Sequence, residues 1–152
     1  MEKERLVSLF EKLYDGYPWL GVNIKSTLQG VSAQQAATKH FPNCNSIWQI
    51  VEHIISWKTN VLQRIQGEVI TTPDNNYIEE ITNTSEEAWQ ATIARLEEAH
   101  HKWLGYLKNF DEADFEKIYP PNGMTYYEHI HGIIQHDAYH LGQIVLLAKG
   151  IK

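Results

Sequence analysis

The chain has one cysteine, Cys44, in 152 residues. A lone thiol closes no internal disulfide, so the fold must rest on its core, and a reducing, cytoplasmic setting is expected. Positive charge is also scarce: 13 Lys and Arg stand against 19 Asp and Glu, for a formal net charge of −6. No Lys/Arg cluster relieves that balance, which argues against nucleic acid as a partner, because phosphate binding needs a basic face. Nowhere is there an apolar run of the roughly 18–20 residues that cross a bilayer, so no membrane role is expected. The opening stretch MEKERLVSLFEKL mixes both charge signs with apolar residues and lacks the apolar centre of a secretory leader. Internal repeats, low-complexity tracts and Pro/Gly/Ser linkers are missing too, so residues 1–152 read as a single domain.

What remains is a globular composition, 43% hydrophobic and 21% charged, long enough to bury a core. Four stretches carry helical periodicity. Glu2 to Tyr14 sets Leu6, Leu9, Phe10 and Leu13 on one face, and Asp15, Gly16 and Pro18 end it. From after Ser46 to about Gln66, Ile47, Ile50, Val51, Ile54, Val61, Leu62 and Ile65 form an apolar side, with Gly67 as the stop. A third helix opens at Thr84 or Ser85, carries Glu86 and Glu87 in its first turn, and runs to about Phe110. The fourth spans Thr125 to about Lys149. Between the first two, NIKSTLQG and SAQQAATKH read as short helices, Ser32 capping the second. The polar stretch Glu68 to Thr84 is a connection in which EVITTP has some strand character. DEADFEKIYPPNG is a loop, because two prolines and Asn-Gly oppose regular structure. The expectation is an all-α four-helix bundle with short extra helical segments between the first two long helices.

The histidines, eight in all, carry the chemistry. His136 and His140 lie four apart on the fourth helix, so both imidazoles leave one face about one turn apart and can reach one ion. Neutral imidazole suits borderline divalent metals such as zinc, nickel or copper. Two ligands make a weak site, and His53, set among core-type residues in IWQIVEHIISW, is the best third candidate. His100 and His129 compete with it, and an HxxxH pair also arises by chance among ordinary core histidines. His101 and His131 read as surface residues and His40 as a loop residue. Around the pair, Gln143 lies three residues past His140, placed to support a ligand from behind. Gly132 leaves room one turn before His136. Asp137 points about 100° away from His136, toward a neighbouring element or a dimer surface. Glu52 reads as solvated and Cys44 as structural. No catalytic residue can be named.

SIWQIVEHIISWKTNVLQRIQG, followed much later by HGIIQHDAYHLGQIVLL, resembles the DinB superfamily. The match includes Trp48 and Trp57 around the first histidine and the H-D-x-Y-H-x-G-Q-I run around the pair. The earlier PWLG and LQGVSAQQAA pieces resemble one branch. The resemblance implies a four-helix bundle whose ligands fall on His53, His136 and His140, with zinc or nickel as the divalent ion, and it implies homodimers. Relatives include S-transferases and isomerases that use a low-molecular-weight thiol, and metal-dependent hydrolases. In the isomerases that use mycothiol a carboxylate replaces the first histidine of the pair. His136 therefore sets this chain nearer the all-histidine branch.

Three neutral ligands leave a coordination position open, as in catalytic rather than structural sites. The implied function is a metal-dependent enzyme that activates water or a thiol, a hydrolase or S-transferase acting on a small molecule. The alternatives are a non-catalytic metal-binding bundle and a helical interaction protein whose histidines belong to the core.

Overall fold

A computed structural model describes residues 1–150. Its helices are α1 (Glu2–Asp15), α2 (Ile24–Gln29), α3 (Ala33–Ala37), α4 (Ile47–Ile65), α5 (Glu86–Lys108) and α6 (Tyr126–Gly150). The long ones, α1, α4, α5 and α6, form the all-α bundle, and the short α2 and α3 fill the connection from α1 to α4.

Local chemistry sets most of the boundaries. The Ser32 and Ser46 hydroxyls each accept a hydrogen bond from the backbone N–H three residues on, and the Gln35 and Gln49 side chains in turn accept from the backbone N–H of the cap residue. These reciprocal capping boxes satisfy backbone donors that a helix start leaves free. Ser85 caps α5 by accepting from Ala88 N. Thr125 and Glu128 make the same reciprocal pair at the start of α6. Past the end of α4, Gly67 takes φ +94°, a left-handed conformation that favours glycine.

The segment DEADFEKIYPPNG departs from the expected loop. Glu112–Glu116 is a 3₁₀ turn, and Ile118–Tyr119 pairs antiparallel with Met124–Thr125. The prolines sit in the turn between the two short strands, where no ladder donor is needed. The strand character of EVITTP does not materialise.

Two apolar clusters fill the bundle. One surrounds Trp48 and Trp89 near the start of α4, with α2, α3 and the last turns of α6. The other surrounds Phe10, Val61, Ile65, Trp103 and Ile130 at the opposite end, where Phe10 and Trp103 meet edge to face at 5.3 Å. The α4–α6 seam crosses both. Residue 53 meets 140, 58 meets 137 and 64 meets 129, so rising numbers on α4 face falling numbers on α6 and the helices run antiparallel. No helix is long and apolar enough to cross a membrane, among the described residues.

Candidate metal centre

His53 lies in the middle of α4, buried on the α6 side. His136 and His140, one turn apart on α6, project back across the seam. The Nε2 atoms converge: His136 Nε2 is 3.0 Å from that of His53 and 3.1 Å from that of His140. One ligand atom from each residue lies within 4.8 Å of the other two. On a tetrahedral ion about 2.0–2.1 Å from each nitrogen, two ligand nitrogens sit about 3.3 Å apart. The spacing therefore suits one shared ion.

The outer ring nitrogens explain which atoms face inward. His53 Nδ1 is 2.7 Å from the Asn76 carbonyl oxygen, which can only accept, so the proton sits on Nδ1 and the Nε2 lone pair is free. His140 Nδ1 donates in the same way to Gln143 Oε1 at 2.7 Å. Backing partners of this kind fix the tautomer and orientation of a ligating imidazole. With both neighbours presenting lone pairs, a single proton on His136 Nε2 serves one of them at a time. A cation serves all three, and this donor set fits a divalent metal ion.

Burial favours the neutral, metal-competent form. Desolvation lowers the imidazole pKa of His53 and His140 and brings that of His136 down to about 3, with repulsion from the other two rings adding to the effect at His136. The cluster is not sealed, because His136 and His140 are partly exposed while His53 is buried. Trp57 walls one side, its ring 6.2 Å from that of His136. Tyr139 is exposed and meets His140 edge-on at 5.0 Å. A Cβ added at Gly132 would meet nothing within 4 Å. The competing histidines lie elsewhere. His100 stacks on Tyr14 at 3.9 Å, and His129 bonds Thr125 O and Asn122. His101 is exposed and His131 is half-buried against Tyr127.

Of the two places expected for Asp137, the structure selects the neighbouring element: it is fully buried and pairs with Lys58 of α4 at 2.6 Å. Other neighbours are not where sequence reasoning placed them. Glu52 is only part-exposed and holds Arg95 and Thr92 across to α5. Cys44 is exposed rather than structural, and it lines a cleft of about 240 Å³ with Phe41, Ile50, Gln143, Leu146 and Leu147. Asn76 was missed altogether. Its contribution is a backbone carbonyl, for which the only sequence signal is a tight-turn run, Pro73 to Asn76, in the connection before α5.

No curated protein and no solved structure matches the chain. A family model described as the DinB superfamily matches residues 22–144. That span includes all three clustered histidines and most of the chain, and the chain belongs to the DinB superfamily.

Proposed function

We propose that this protein is a metal-dependent enzyme in which His53, His136 and His140 hold one divalent ion, zinc or nickel. The observation that carries the reading is the convergence of three imidazole nitrogens, two of them from rings fixed behind by protein acceptors. Among the described residues the ligand group stops at three, and two of these are partly exposed. Structural sites close with four protein ligands, whereas catalytic ones keep a position for solvent or substrate. When bound, the ion would supply Lewis-acid activation of a water or a low-molecular-weight thiol, for hydrolysis or S-transfer.

The chain's own residues have definable tasks in this scheme. Asn76 and Gln143 hold the rings of His53 and His140 in the ligating tautomer. Trp57 and Tyr139 flank the open side with aromatic surface that suits a small organic substrate. The homodimer remains part of the proposal and is checked by sedimentation equilibrium.

The experiment is metal analysis of the purified protein, then a screen of thiol conjugation and ester or amide hydrolysis with and without chelator. Chelator-sensitive turnover supports the reading. Gln143→Ala should lower turnover by about 10-fold or more while reducing metal content less, since losses of backing partners run at about 10–100-fold. No retained metal after reconstitution with zinc or nickel would overturn the reading. The second reading, an ion that only staples the bundle, is favoured by one fact: the ligands join α4 to α6, helices distant in sequence. A fourth protein ligand in a metal-loaded structure would select it.

A further inference from the structure

His136 differs from the other two clustered histidines in lacking a backing partner. Its Nδ1 is buried and makes no hydrogen bond among the described residues. The Oδ1 of Asp137 is also buried and also without a partner, and it lies 4.0 Å from that nitrogen. Two unsatisfied polar atoms thus lie across a gap about 1 Å longer than a charge-assisted hydrogen bond, and they become donor and acceptor only when the ring's proton is on Nδ1. Buried groups of this kind cost free energy when left unpaired, and few persist without a reason.

The other oxygen of Asp137 is committed. Lys58 Nζ on α4 holds Oδ2 at 2.6 Å, and both side chains are nearly inaccessible, at 3% and 2% exposure. Lys58 also lies 5.6 Å from the centre of the Phe10 ring on α1, so its ammonium is wedged inside the bundle. A buried ion pair is poor evidence for stability, because well-packed apolar residues of similar volume serve as well or better. Its geometry is the informative part. Lys58 fixes the carboxylate by one oxygen and leaves the other turned to His136. Ligation through Nε2 requires the proton of a neutral imidazole to be on Nδ1, which makes that atom a donor in need of an acceptor.

We infer that Asp137, held by Lys58, is the positioning residue that accepts the Nδ1 proton of His136 once His136 ligates a metal ion. The three rings would then have three different backing groups: a loop carbonyl for His53, an amide oxygen for His140 and a buried carboxylate for His136. The carboxylate would raise the basicity of its ring more than either neutral acceptor does. This inference rests on the proposed three-histidine metal site.

The test uses zinc itself, titrated against the full chain in competition with a chromophoric chelator. Asp137→Asn alone strands the Lys58 ammonium, so the informative variant is the double substitution Lys58→Met with Asp137→Leu, which removes both charges. It should fold with an apoprotein melting temperature near that of the parent, yet bind zinc about 10–100-fold more weakly. Lys58→Met with Asp137→Asn restores a neutral acceptor and should recover part of that loss, which a merely structural role would not produce. In the zinc-loaded parent, long-range proton–nitrogen NMR should show a slowly exchanging, downfield His136 Nδ1 proton that the Leu variant lacks. Parent-like zinc affinity in the Leu variant, or no such proton in the zinc-loaded parent, would overturn the inference. Failure of the parent to bind zinc or nickel at all would instead overturn the proposed metal site.

Discussion

Arg64 lies eleven positions past His53 on α4, and His129 eleven before His140 on α6, so the antiparallel seam repeats the same register at two places. At one place three imidazoles meet. At the other His129 meets the Arg64 guanidinium, 3.5 Å away, and Arg64 also packs over the rings of Trp57 and Tyr119. Both nitrogens of His129 are used by Thr125 O, Asn122 and Arg64. A permanent cation across the seam repels a metal ion as surely as an imidazole invites one. A histidine facing the bundle interior is therefore not a ligand by position alone. The residue opposite decides.

The largest expected effect follows directly. His53→Ala, His136→Ala and His140→Ala should each lower zinc affinity by at least about 100-fold, because three ligands are the minimum for tight binding. His129→Ala and His100→Ala should leave metal content near that of the parent. Metal analysis after dialysis checks both. Full occupancy in any of the first three removes that residue from the ligand set, and loss in His129→Ala would erase the contrast between the two places.

Next in size is metal removal. The ion would tie α4 to α6 at one place along the seam. An ion that binds only the folded state stabilises it by mass action, by about 4 kcal/mol at a thousandfold excess over the dissociation constant. The apoprotein should melt lower but stay helical, since the apolar clusters at both ends are independent of the ligands. Circular dichroism during chelation distinguishes this from collapse. An unchanged melting temperature after verified removal breaks the coupling.

Acid should separate the groups further. The pKa of His136 falls from 6.5 to about 3 through burial and neighbouring positive charge, and that of His100 falls as far, burial again being the main cause. Below pH 6.5 the unfolded chain takes up protons that these folded residues refuse, so their contribution to stability is full above 6.5 and is lost as pH drops toward 3. Each such group should contribute a slope of about 1.4 kcal/mol per pH unit inside that window. Denaturation of the apoprotein between those limits reads the slope. His100→Phe, which keeps a flat ring against Tyr14, should reduce it. An unchanged slope would mean that His100 takes up its proton in the folded state.

The elements of this architecture that could be read in advance are those written in short-range chemistry. The serines and glutamines of the capping boxes mark the starts of α3 and α4, and HxxxH on a continuous helix already places two nitrogens on one face. His53 needed more, because periodicity shows that a residue faces inward without naming what it meets. The same gap left two places open for Asp137, a neighbouring element or a surface, and Lys58 on α4, far back in the chain, decides for the first. It explains Glu52 as well, whose partners Arg95 and Thr92 lie on another helix. The hairpin at Pro120 and Pro121 was hidden because prolines that oppose a strand interior are at home in its turn.

Asn76 was hardest to foresee, and it offers the finest test of why one place on the seam gathers nitrogens. Its carbonyl reaches His53 because Asn76 and Tyr77 both adopt left-handed backbone, at φ 55° and 60°. Asn tolerates that conformation, glycine prefers it, and β-branched residues strongly resist it. The Asn76 side chain separately accepts from Trp57 Nε1 at 2.9 Å. Asn76→Gly keeps the backbone geometry and removes only the side-chain contact, so zinc affinity should stay within about threefold of the parent, well below the usual effect of losing a backing partner. Asn76→Val strains the turn at a cost of about 1–3 kcal/mol and pulls the carbonyl from His53. Zinc affinity should then fall about 10-fold, with a lower melting temperature. Both substitutions also free Trp57 Nε1, which Arg64 overlies through the ring, so any change at that end of the seam should be the same in the two variants. Equal zinc affinity in the Gly and Val variants would show that the loop carbonyl does not hold His53, and that packing within α4 orients the ring.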